Sequence, residues 1–296
     1  MKNIYRILVA LLVFTMIPMT QKAEAAKVID EKLGVPIIAL GANLSEDEKS
    51  KMLTLFDEDA NSADIITISG QDLVKYIPSG NGNARMFSSA KITRKDEGHG
   101  LVIDIVTPKD ITQVTAEMYA TAMLTAGIED AVVEVASPKT VTGHSALVGI
   151  YKAYEVAGEG AVLDPERTEV ANEELNVLTN LAEKSGIDQD EVANLLTEIK
   201  KEVAKQAPQS KEEVEKIVTD QLSKLKIELS DADRQLIIDL MDKIRGLNID
   251  FDKWSKQLDD VASKIKDKIG SIDSGFFERI KEFFASIFAK IKSWFS

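Results

Sequence analysis

The chain has no cysteine, only two histidines (His99 and His144) and few aromatic residues outside its last segment. Each shortage removes a class of chemistry. Without cysteine there is no disulfide scaffold, no thiolate nucleophile, no iron–sulfur cluster and no cysteine-based zinc site. Two imidazoles are too few for the usual multi-histidine transition-metal centres. Positive charge is also short, with 36 Lys+Arg against 49 Asp+Glu and a net charge of -13. That balance argues against bare nucleic acid, whose affinity rests on neutralising phosphates. There is no P-loop and no dinucleotide fingerprint. No cofactor or metal is expected, and no catalytic signature is found. What remains is an ordinary globular composition, 44% hydrophobic and 29% charged.

The first residues read as a targeting signal. Lys2 and Arg6 precede an apolar run, Ile7 to Met19, and Ala23-Glu24-Ala25 supplies a small-x-small cleavage pattern before Ala26. A basic start, a short apolar core and such a site describe a secretory signal peptide over residues 1–25. The run of about 13 residues is short of the roughly 20 that a spanning helix needs. The expected compartment is extracytoplasmic, and with no lipobox cysteine a lipoprotein is excluded.

Two periodicities follow, and together they predict an α+β fold. A small mixed α/β domain is expected over residues 26–165. Pro36 to Leu40 and Ala63 to Ser69 read as strands. Ser45 and Glu48 form a capping box opening a helix to about Phe56. Phe87 to Arg94 and Leu101 to Thr107 flank Asp96-Glu97-Gly98-His99-Gly100 as a predicted hairpin. Thr115 to Thr125 reads as a helix stopped by Gly127, and Ala131 to Ala136 as a strand. A further helix is capped by Thr142 and closed by Gly158.

An all-α module is expected over residues 166–273. Its helices are predicted at Thr168–Lys184, Asp188–Gln206, Ser210–Lys226, Ser230–Arg245 and Asp250–Ile269. Apolar residues recur at three- and four-residue spacing, as in Val192, Leu195, Leu196 and Ile199, and in Leu236, Ile237, Leu240 and Ile244. Short connections give antiparallel neighbours, the geometry of a bundle.

Three stretches resemble a known family: Leu40-Gly41-Ala42-Asn43-Leu44-Ser45, Met118-Tyr119 with Ala122 to Gly127, and Ile150-Tyr151-Lys152-Ala153-Tyr154-Glu155. They are similar to the YpuA-like proteins, secreted Gram-positive proteins built on a domain of unknown function. The resemblance spans most of the chain. It implies a secreted or envelope protein of a Gram-positive cell, and it supplies no activity, substrate or catalytic residue.

Candidate chemistry is sparse. Gly143-His144-Ser145-Ala146-Leu147 is one residue short of a nucleophile elbow, since Leu147 stands where the last glycine belongs. No histidine follows His144, which weighs against a hydrolase triad. The same residues read better as a helix start, leaving Thr142, Gly143, His144 and Ser145 as a weak anion-site candidate. Asp57 to Ser62 and Asn248 to Asp252 each begin like a calcium loop. Ser62 and Lys253 occupy the glycine position, so both read as loop and cap acids.

The end of the chain is more informative. Six of the 10 Phe and one of the two Trp lie beyond residue 275. At 100° per residue, Phe276, Phe277, Ile280, Phe283, Phe284, Ile287, Phe288, Ile291, Trp294 and Phe295 fall within about 140° of a helical wheel. Arg279, Lys281, Lys290 and Lys292 outnumber Glu278 and Glu282 in this otherwise acidic protein. A basic amphipathic helix with bulky aromatics predicts an interfacial segment over residues 274–296. Its charges disfavour spanning.

The expectation is a secreted, non-enzymatic envelope protein attached peripherally to the outer face of the membrane. An envelope protein or wall polymer is the other partner class considered, and nucleic acid is excluded. The alternative is a carboxylate-dependent enzyme or a ligand-binding module acting on a cell-wall component.

Overall fold

The computed structural model describes residues 33–59, 61–158, 162–185, 188–225 and 227–270, with side chains except at Ser185 and 265–270. The signal-peptide reading and the segment 276–296 both lie outside the described residues.

Short runs rich in β-branched residues form a five-stranded sheet: β1 (Ile37–Gly41), β2 (Asp64–Ile68), β3 (Ser89–Arg94), β4 (Leu101–Ile105) and β5 (Ala131–Ala136). Its spatial order is β2-β1-β3-β5-β4. β1 is parallel to β2 and β4 is parallel to β5, while β3 is antiparallel to both of its neighbours. Four strands therefore share one direction, and only β3 runs against them.

Three helices connect these strands, α1 (Glu46–Leu55), α2 (Gly70–Tyr76) and α3 (Ala116–Ala126), and α4 (His144–Ala157) follows β5. The predicted capping box at α1 is present, with Ser45 Oγ accepting from the Glu48 amide at 3.3 Å and Glu48 Oε2 accepting from the Ser45 amide at 2.9 Å. Thr115 caps α3 through the Met118 amide, and Gly127 ends it at φ +88°.

Alternation along β1 sends its side chains to two layers. Ile38 and Leu40 pack with Met52 and Phe56 beneath α1. Ile37 and Ala39 face α4 and join a second cluster that continues, without a break, into the helices beyond. These helices are α5 (Pro165–Ser185), α6 (Gln189–Gln206), α7 (Lys211–Leu225), α8 (Asp231–Gly246) and α9 (Phe251–Gly270). Their positions agree closely with the periodicity, so the fold is α+β, a mixed sheet followed by helices.

Three local expectations are corrected. β3 and β4 do not pair as a hairpin, because β5 lies between them. The turn exists, but it wraps the start of β5: Asp130 Oδ1 accepts from the amides of Gly98 at 3.0 Å and Gly100 at 2.8 Å. Thr142 does not cap α4. Gly143 takes the N-cap position at φ +105°, and the Thr142 hydroxyl turns to His144 instead. Leu236, expected on the buried stripe of α8, is 42% exposed, whereas Ile237, Leu240 and Ile244 are buried.

Candidate functional site

The carboxyl ends of β1, β2, β4 and β5 meet the start of β3 at one edge of the sheet. Helices α1, α2, α3 and α4 all begin from that edge. In open α/β sheets this is where ligands bind, with helix N-termini aimed at them. All of the sequence-predicted anion candidates, Thr142 to Ser145, fall here.

Local packing explains how these residues are held. A Cβ on Gly143 would lie 2.8 Å from Ile111 Cγ2 and 2.8 Å from the Tyr119 hydroxyl. The positive φ and this close approach both demand glycine. Tyr119 donates to the Gly143 carbonyl at 2.6 Å, tying α3 to the start of α4. Ser145 Oγ donates to Ser88 Oγ at 3.2 Å. His144 is bracketed by Thr142 Oγ1 at 3.2 Å from Nδ1 and Thr179 Oγ1 at 3.3 Å from Nε2. Burial holds its imidazole below the ordinary histidine range, so near neutral pH it brings no positive charge to an anion.

Other polar groups at this edge are likewise committed inside the protein. Ser89 Oγ accepts from the Gly41 amide at 3.4 Å, and Ser137 Oγ donates to the Lys139 carbonyl at 2.7 Å. Asn43 clamps the long loop before β3, its Oδ1 accepting from the Met86 amide at 2.7 Å and its own amide donating to the Met86 carbonyl at 3.1 Å. Ser145 faces a serine and not a histidine, so the near-elbow is not assembled as a nucleophile and base.

The calcium-like segments are also accounted for by local bonds. Asp59 Oδ1 accepts from the amides of Asn61 at 2.7 Å and Ser62 at 3.0 Å. Asp250 Oδ1 takes the Asp252 and Lys253 amides at 3.1 Å each, opening α9. Among the described residues no group of three or more His, Asp or Glu is placed to hold a metal ion.

The stretches that carry the family resemblance are structural clamps. A Cβ on Gly41 would lie 2.4 Å from the Met86 carbonyl oxygen, so the Leu40–Ser45 stretch needs its glycine for the loop to close. In the third stretch, Lys152 bonds Asp72 Oδ1 at 2.6 Å and the Thr67 carbonyl at 2.8 Å. Glu155 Oε2 accepts from Lys75 and from the Tyr76 hydroxyl at 2.6 Å each, and its Oε1 accepts from the Leu163 amide at 3.0 Å. These donors hold the Glu155 carboxyl below its ordinary value against the opposing cost of burial.

Two features escaped the sequence reading. The first is a polar cluster inside the helical layer. Lys200 of α6 and Glu174 of α5 are fully buried and paired at 2.8 Å. Thr121 and Thr125 of α3 donate to the Glu174 carboxylate at 3.0 and 2.6 Å. Lys200 also donates to the Thr121 carbonyl at 2.9 Å, and its ammonium lies 5.0 Å from the Trp254 ring centre. Burial pushes the Lys200 ammonium down, with Glu174 opposing. The Tyr151 hydroxyl and the Trp254 indole nitrogen are buried without a hydrogen-bond partner. The signal for this cluster was present in sequence: Lys200 sits four residues after Leu196 and three before Val203, inside the buried stripe of α6.

The second is an apolar groove of about 180 Å³ beside the edge strand β4, walled by Leu101, Val102 and Ile103, by Ala116 and Ala120 of α3, and by Val261 of α9. It is open, and Val102 is 43% exposed.

A mixed five-stranded sheet with α1 on one face, α3 and α4 on the other and five helices beyond defines an α+β protein whose conspicuous glycines and polar residues secure its own fold. Residues 40–261 match the family described as a protein of unknown function, DUF1002, and the chain belongs to that family. It is 35% identical over 209 residues to the uncharacterized protein YpuA of Bacillus subtilis strain 168, covering 69% of this chain and 68% of that one. No solved structure matches it.

Proposed function

We propose that this is a secreted, non-enzymatic protein of the cell envelope, attached peripherally to the outer face of the membrane by residues 276–296. The observation that carries the reading is the segregation within that segment: ten apolar residues, most of them aromatic, share one face, and basic residues predominate on the other. Burying a single large apolar side chain is worth about 1.5–3 kcal/mol, so a few inserted rings suffice for attachment. Among the described residues no helix is long and apolar enough to cross a membrane, a separate matter from lying in its surface.

The body gives such an anchor a firm base. Helix α9, which leads towards the segment, is seated by Trp254, Leu258, Val261 and Ala262, all buried. Lys253 pairs with Glu129 at 2.5 Å, and Lys264 donates to the Leu101 carbonyl at 2.6 Å. Tension on the segment would therefore pass into the packed core.

Flotation with anionic phospholipid vesicles tests the reading. The chain from Ala26 to Ser296 is expected to rise with the vesicles, and the same chain lacking residues 276–296 to stay below. Equal recovery of both in the unbound fraction removes the membrane assignment.

A further inference from the structure

The groove beside β4 opens next to the route by which the chain reaches its aromatic end. Val261 of α9 forms one wall, and Lys264 reaches across to the Leu101 carbonyl. From Lys264 to the end of α9 at Gly270 is six residues, about 9 Å of helix. Residues 271–275 then end in Gly275, a connection of the length that joins antiparallel helices.

We infer that the groove receives the aromatic face of residues 276–296 of the same chain. An antiparallel return brings residue 282 level with Lys264 and residue 285 level with Val261. Phe283, Phe284 and Ile287 then stand opposite the groove, all on the apolar face of the wheel. The walls offered to them are Val102, Ile103, Ala116 and Ala120, with no charged side chain on the groove floor other than the Glu117 and Lys264 flanks. Of the nearby carboxylates, Asp104 is exposed on β4, while Asp259 and Asp260 on α9 are paired with Lys201 at 2.8 Å and Lys264 at 2.7 Å. The segment carries four basic residues against two acidic ones. Short tethering favours this occupant over any partner in solution, because the effective concentration of a segment on so brief a connection is high. The docking stands apart from the membrane reading: it needs no lipid, and it would hold the aromatic face covered while the protein is in water.

The absence of cysteine gives the test a clean background. Val102→Cys is combined in the chain from Ala26 to Ser296 with Phe283→Cys, Phe284→Cys or Ile287→Cys, and mild oxidation is followed without vesicles. Ile65→Cys, on the opposite sheet edge and 39% exposed, replaces Val102→Cys in the control series. At least one pair with position 102 is expected to close within the monomer about tenfold faster than its counterpart with position 65. Equal rates for the two series overturn the docking. Crosslinks that form mainly between chains also overturn it, by assigning the groove to a second copy. Because no lipid is present, either result leaves the flotation outcome untouched, and a failed flotation leaves this one standing.

Discussion

Where α4 lies on the sheet, the buried surface is Ile37, Ala39, Ile68 and Ala90 against Leu147 and Ile150. Gly149 lets the helix come close, since a Cβ there would already lie 3.4 Å from Ala39 Cβ. Where α3, α5 and α6 meet, the interior holds a complete ion pair and two threonines. The difference follows from what fixes each layer. A strand's register is set by its backbone ladder and by alternation, because a slip of one residue would expose the whole buried face. Apolar helix stripes can rotate and slide past one another at modest cost. A buried polar pair that is satisfied in only one arrangement removes that freedom, as single polar residues do in coiled coils.

Breaking the pair is expected to give the largest effect. Lys200→Met leaves Glu174 charged and buried with only the two threonine donors, a loss of about 3–5 kcal/mol in urea unfolding. Lys200→Met with Glu174→Leu removes both charges and is expected to recover most of that loss. The double variant should instead show broadened or multiple NMR signals from α3, α5 and α6, while the signals of β1, β3 and β5 stay sharp. A single variant as stable as the parent, or a double variant with uniformly sharp spectra, would end the distinction between the two layers.

A backbone collision probes the sheet side. Gly41→Ala sets a methyl 2.4 Å from the Met86 carbonyl, a backbone atom that cannot swing aside. The expected cost is about 1–3 kcal/mol, read as a lower urea midpoint with an unchanged slope. The Asn43 clamp on Met86 should loosen with it, giving faster amide exchange at Met86 and Asn43. An unchanged midpoint would mean that this loop is not fixed to the end of β1 in solution.

Elements set by local chemistry were legible in the sequence. Ser45 with Glu48, Thr115 with Gly127, and the three- and four-residue spacing of α5 to α9 each act within a turn or two of the chain, and each marked its element within a few residues. The β3–β4 hairpin was misread because its flanking strands and glycines are genuine, while the insertion of β5 between them is decided by pairing with residues about 40 positions along the chain. Helix α2 went unseen although Ser69 and Asp72 form its capping box, because Gly70 and seven residues without periodicity look like loop. The resemblance located the right stretches, but their reason is spatial: Gly41 meets Met86, Tyr119 meets Gly143, and Glu155 meets Tyr76. Lys200 was visible on its apolar stripe, but its partner Glu174 lies on another helix, and a lysine on a stripe does not announce whether it turns inward.

The seam between the layers offers the finest test, because His144 opens α4 and bonds Thr179 of α5. Thr179 donates its own proton to the Leu175 carbonyl at 3.0 Å, so its oxygen is left to accept from His144 Nε2–H. Nδ1 is then bare and accepts from Thr142, which assigns the neutral tautomer from the bonding pattern. Burial lowers the pKa of this histidine in the folded state. As pH falls past about 6.5, the unfolded chain takes up the proton first. It then binds more protons than the folded chain, so stability declines until the folded histidine also titrates. Carboxylates such as Glu155, also lowered by their partners, contribute in the same direction but from the lower carboxylate range. His144→Gln keeps a donor for Thr179 and cannot titrate. Its stability should therefore be flatter than the parent's between about pH 5 and 7, with the two curves converging towards parallel above that range. Curves parallel throughout the window would mean that His144 is as open to water when folded as when unfolded, and that α4 and α5 part at this seam.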